Sequence, residues 1–90
     1  MPSVITVRPS SGDENCGWIF TELGGNELNF HSNDDALAHI KLLSDETVMI
    51  KRDIAGAIIS VWWRKHGHWG GSQVTEAEAD CIESFLLESN

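Results

Sequence analysis

The run Ile58-Ile59-Ser60-Val61-Trp62-Trp63 constrains this chain more than any other. Its β-branched and aromatic residues favour an extended strand, and a regular strand sends successive side chains to opposite faces. Trp62 and Trp63 must then enter different environments, one in a core and the other on the far face of the sheet. The outer indole either packs under a helix or a bulge, or forms part of a surface for binding or self-association.

The rest of the chain supplies partners for that strand. In "SVITVR" Ile5 and Val7 alternate with Val4 and Thr6, and "RPSSGDEN" follows as a polar loop. "GWIFTEL" alternates Trp18, Phe20 and Glu22 against Ile19, Thr21 and Leu23. "GGN" can reverse the chain, so that "ELNFHS" returns antiparallel with Leu28 and Phe30 on one face. "TVMIKRD" predicts a further strand with Val48 and Ile50 facing one way, joined through "DIAG" to the tryptophan strand.

Two segments change to a helical period. "SNDDALAHIKLLS" offers Ser32 or Asn33 as an N-cap, and Ser32 with Asp35 makes a capping box. Its apolar stripe is Ala36, Leu37, Ile40 and Leu43, with Leu42 outside it. "VTEAEADCIESFLLES" has the same capping spacing at Thr75 and Glu78, with Cys81, Ile82, Phe85 and Leu86 as its apolar face. Glu78 is better explained as the reciprocal cap than as a buried acid. The expected fold is a single α+β domain over residues 1–90, with a mostly antiparallel sheet of about five strands in the order β-β-β-α-β-β-α. If both helices share a face, a tryptophan-bearing face stays open; if they take opposite faces, both indoles can be covered.

Ninety residues allow one modest core, and no segment is apolar enough for long enough to cross a bilayer. The opening "MPSVITVRPS" lacks the basic and apolar regions of a secretion signal, so the expected location is cytoplasmic. Cys16 and Cys81 then read as free thiols outside any CxxC pattern. A formal charge of −8 opposes polyphosphate backbones and anionic membranes. The basic and aromatic "WWRKHGHW" has too few cations to reverse that, so direct nucleic-acid binding is not expected.

The chemistry-bearing groups form no compelling catalytic set. "KHGHWGGS", with Gly67, Gly70 and Gly71, reads as a loop into the last helix, and neither GxxxxGK[ST] nor GxGxxG occurs. His66 and His68, with His31, are the metal alternative, for which Cys16, His39 or a carboxylate would have to complete a tetrahedral set. His66 or His68 could act as a base beside Asp53 or Glu22, but no spacing selects a pair. Ser60 on a strand and Cys81 on an apolar helix face are weaker nucleophiles still. An enzyme is therefore not favoured, and no cofactor is implied.

The expected function is that of a small acidic protein-interaction module, an inhibitor or regulator of a larger complex. Trp63, Arg64 and Trp69 supply interface chemistry, and Glu76, Asp80 and Glu83 form an acidic row on the last helix that suits a basic partner surface. Self-association through an aromatic sheet face is the second expectation. An acidic nucleic-acid mimic filling a basic channel is the first alternative; a His-dependent metal protein or small enzyme is the next.

Overall fold

The computed structural model describes residues 3–12 and 17–89, which form six strands and two helices. β1 (Val4–Pro9), β2 (Trp18–Glu22) and β3 (Glu27–Phe30) precede α1 (Asn33–Lys41). β4 (Val48–Arg52), β5 (Ile58–Lys65) and β6 (His68–Gln73) precede α2 (Glu76–Ser89). All lie in one sheet of order β3-β2-β1-β4-β5-β6, antiparallel throughout except for the central β1–β4 pair. That pair is covered on both sides, which is why Val48, Met49 and Ile50 are apolar in succession instead of alternating with polar residues.

The α+β class and two helices agree with the expectation from sequence; the sixth strand is additional. The stretch expected as a loop after Lys65 turns back at once. His66 and Gly67 take φ of 53° and 78°, the left-handed pair that a two-residue hairpin of right-handed twist requires. His68–Gln73 then pairs with β5 from Lys65↔His68 to Ser60↔Gln73. Glycines at 70 and 71 suggested irregular backbone; here they accommodate side chains from the neighbouring strand.

Strand alternation divides the core in two. Ile5, Val7, Phe20 and Met49 face α1 and bury with Ala36, with Trp18, Phe30, Ile40, Leu43 and Trp69 packed around them. Val4, Val48, Ile50, Ile58 and Val61 face α2 and meet Ala79, Ile82 and Leu86. Each fully enclosed aliphatic or aromatic side chain, such as Phe20 or Ile50, contributes about 1.5–3 kcal/mol relative to exposure. The packed face of α2 is rotated from the expected one, since Cys81 is exposed and Phe85 half out of the interface. Leu42 is in solvent.

Both helices begin as their sequences predict. Asp35 donates its amide to Ser32 Oγ at 3.1 Å. Glu78 donates its amide to Thr75 Oγ1 at 3.2 Å, while its own carboxylate accepts from the Thr75 amide at 3.1 Å. Glu78 is thus a cap, not a buried acid.

The two halves repeat each other. Each is a strand meander followed by a helix, and an axis along the strands between β1 and β4 would exchange the halves and carry α1 to the opposite face. One constant interval separates Ser32 from Thr75, Asp35 from Glu78, Ala36 from Ala79 and Leu43 from Leu86. It also relates Ile5 and Val7, under α1, to Val48 and Ile50, under α2.

Candidate functional site

The helices do take opposite faces, yet neither indole of the tryptophan pair is enclosed. Each helix covers chiefly its own half of the fold, so the β5–β6 end of the sheet is left open on the α1 side and only partly covered on the other. Trp62 faces the α1 side opposite Met49 and is 37% exposed; Trp63 faces the α2 side opposite Val48 and is 44% exposed. Both rings lean outward over β6. Trp63 lies over Gly70, where a Cβ would sit 3.4 Å from its Nε1, and Trp62 covers Gly71 too closely for any side chain there. The edge strand is therefore clasped between two indoles, one on each face. Trp62 also donates Nε1–H to Ser60 Oγ at 3.1 Å.

The clasped strand is the last in the sheet. Val74 donates its amide to Ile59 O, so alternation along the ladder turns the Gly70 and Ser72 amides toward β5 and those of Trp69, Gly71 and Gln73 outward. Protein edges of this kind are usually blunted by charge, proline or a bulge. β6 has no Lys, Arg, Asp, Glu or Pro in its six residues and continues the β5 register without a shift.

The other sequence-predicted site residues are dispersed. Arg64 donates Nη1–H to the carbonyls of Lys41, at 3.0 Å, and Leu43, so it closes the C-terminal end of α1. Its Nε stands 3.4 Å from the Asp45 carboxylate, which also accepts from the Gly67 amide at 3.0 Å and ties the β5–β6 turn to the loop after α1. Trp69 is half-buried on the α1 side, whereas Trp63 is on the other. Glu76 and Asp80 are exposed on α2. Glu83 leaves that row to form a two-pronged pair with Arg52, Nη1 to Oε1 and Nη2 to Oε2 at 3.2 Å. The Arg52 hydrogen bond lowers the Glu83 pKa, burial opposes the change, and the Arg52 charge adds to the lowering.

The histidines do not converge. His31 follows β3 at one edge of the sheet, while His66 and His68 stand at the β5–β6 turn, at the opposite edge and the opposite end. No group of three His, Cys, Asp or Glu side chains able to hold a metal occurs among the described residues. Cys16 lies outside those residues. Glu22 is separated from the histidine turn by β1, β4 and β5, and Asp53 is engaged by the Ala57 amide at the far end of β5. Ser60 is buried in its strand, and Cys81 is a free, exposed thiol.

Sequence reasoning missed an aromatic groove on the α1 face. It has a volume of about 470 Å³ between the flank of α1 and the open half of the sheet, with Trp18, Phe20, Met49, Trp62 and Trp69 on its walls and Lys51 among them. A smaller groove of about 250 Å³ lies on the α2 face, of mixed character, with Arg8, Arg52, Glu22, Thr6 and Thr21 beside Leu23 and Leu86. The missed signal was the placement of Trp62-Trp63 and Gly70-Gly71 at equal distances on either side of His66-Gly67.

Comparison with protein-family models, with curated proteins and with solved structures finds no match to this chain. No helix among the described residues is long and apolar enough to cross a membrane.

Proposed function

We propose that this chain is a small acidic protein-interaction module whose docking element is β6, and that it works by adding a partner strand to that edge. The observation that carries this reading is the clasped, uncharged edge itself. Three outward amides offer main-chain hydrogen bonds, and Trp62 and Trp63 present apolar area above and below the strand that would dock. Tryptophan beside an open edge joins the two sources of strand-addition affinity, backbone pairing and side-chain burial.

The partner that fits best is a second copy. Antiparallel pairing of β6 with itself about Gly71 places Trp69 of each copy opposite Gln73 of the other. It also brings Lys65 of one copy, at the turn that Asp45 ties to the loop after α1, toward the acidic start of the other's α2, with Glu76, Glu78 and Asp80. This local complementarity opposes the repulsion expected from a net charge of −8, which salt screens beyond about 8–10 Å.

Sedimentation equilibrium tests it. Gln73→Pro removes one outward donor and is tolerated at an edge, because that amide has no role in the β5–β6 ladder. The reading predicts a dimer whose dissociation constant rises about tenfold or more in Gln73→Pro and in Trp63→Ala. A folded wild-type chain that stays monomeric to high concentration, or a dimer indifferent to both changes, overturns pairing with a second copy.

A further inference from the structure

We propose that the groove on the α1 face is a binding site for a small monoanion with a planar apolar body, an aryl carboxylate of about bicyclic size. The inference does not rest on edge pairing, and it shares Trp62 and Trp69 with that surface.

The walls set the body of the ligand. Three indoles, Trp18, Trp62 and Trp69, together with Phe20 and the Met49 thioether, line one continuous space of about 470 Å³. This lies within the roughly 300–1,000 Å³ of small-molecule sites, and rings favour a flat partner that can stack or meet them edge-on.

The polar atoms set its head. The groove holds one cationic side chain, Lys51, that no carboxylate among the described residues neutralises. Lys51 Nζ lies 5.3 Å from the centre of the Trp18 ring and has no carboxylate within ion-pair distance among the described residues. The acceptor at hand, Asn33 Oδ1, is taken by Trp18 Nε1–H. A neutral alcohol could use a donor but would leave the cation without an anion, and a second cation would meet only donors. A carboxylate supplies the negative charge and the acceptor oxygens that the ammonium lacks.

The indoles and the cation come from separate elements. Trp18 is on β2, Lys51 on β4, Trp62 on β5 and Trp69 on β6. The space exists because α1 is short and rests over β1–β3, leaving the same face of β4–β6 without a helix. By the fold's internal repeat the counterpart is the α2-face groove, which carries Arg8, Arg52, Thr6 and Thr21 instead of rings. Only one of the two related grooves has become aromatic.

The test uses 2-naphthoate and its neutral counterpart 2-naphthalenemethanol, titrated into the intact chain by calorimetry, with the indole Nε1–H signals followed by NMR. The proposal predicts saturable, one-to-one binding of naphthoate at least about tenfold tighter than the alcohol, the scale of one charge-assisted hydrogen bond. Naphthoate should shift the indole signals of Trp18, Trp62 and Trp69, whose rings line the groove, and leave that of Trp63 in place. Lys51→Met should remove the preference for the acid while leaving alcohol binding in place. Equal affinities for the two probes in the wild-type chain, no saturable binding of naphthoate, or an undiminished acid preference in a folded Lys51→Met variant overturns it. The probe comparison needs no variant, so it remains decisive if a substitution unfolds the chain.

Discussion

The indole of Trp62 occupies the space where a side chain at position 71 would stand. A Cβ built on Gly71 falls 2.9 Å from the ring's Cε2 and closer still to Cδ2 and Cε3, all atoms of the ring's rigid fused edge. The neighbouring Gly70 has ordinary clearance from Trp63. Gly71→Ala should therefore destabilise the fold by about 1–3 kcal/mol, the range for overpacking, and Gly70→Ala by distinctly less. Chemical denaturation of the two variants measures the difference. Equal losses would show that Trp62 does not hold this position.

The Arg52–Glu83 pair predicts a pH dependence with a definite sign. The folded-state pKa of Glu83 is depressed below its ordinary 4.5, so the pair's contribution is complete above that value and is lost as the pH falls through the folded one. Glu83 is 41% exposed, and solvent screening limits Glu83→Gln to a cost below about 1 kcal/mol at pH 7. Denaturation midpoints of wild type and variant should converge as the medium is acidified below pH 4.5. A constant gap down to acid pH would contradict an ionised pair.

Two caps at equivalent places in the repeat should behave alike. Ser32→Ala and Thr75→Ala each remove the side-chain oxygen that accepts the N3 amide, at a cost of about 1 kcal/mol. Thr75→Ala should be no costlier than Ser32→Ala, since the reciprocal bond runs from the residue-75 backbone amide to the Glu78 carboxylate and survives the change. Thermal unfolding of the two single variants and their double checks both size and order.

Arg64 has a structural task. Replacing it with Met keeps much of the stem but leaves the Lys41 and Leu43 carbonyls without their donor, and should cost about 1.5–3 kcal/mol, as for hydrogen bonds to a charged group. Amide exchange should show the last turn of α1 fraying first. A variant as stable as wild type would return Arg64 to the list of free interface residues.

Much of the fold was legible because it follows from local rules. Period-two runs located β1 through β5, and Ser-x-x-Asp and Thr-x-x-Glu located both helix starts. β6 was hidden because "HWGGSQ" has no alternation, and its glycines are made tolerable by tryptophans from another strand. That compensation is tertiary and becomes visible only when the His66-Gly67 turn sets the register. The repeat was obscured for a related reason. Its constant interval preserves caps and helix packing, while its strands exchange Phe20 and Leu28 for Val61 and Ser72 at equivalent pairs. The candidate surface was legible in part: the opposed indoles follow from strand geometry, but which carboxylates and cations are already engaged does not. Arg64 and Glu83 look free in sequence because their partners, the end of α1 and Arg52, are brought in by chain crossover and sheet order.

The most direct test of docking at β6 is residue-resolved amide hydrogen exchange as a function of protein concentration. If a second copy pairs with the edge, Trp69, Gly71 and Gln73 exchange quickly in dilute solution and slow as concentration rises, while Gly70 and Ser72, already bonded to β5, change little. Exchange at those three amides that stays fast at every concentration, or protection that rises equally along the whole strand, would contradict the account.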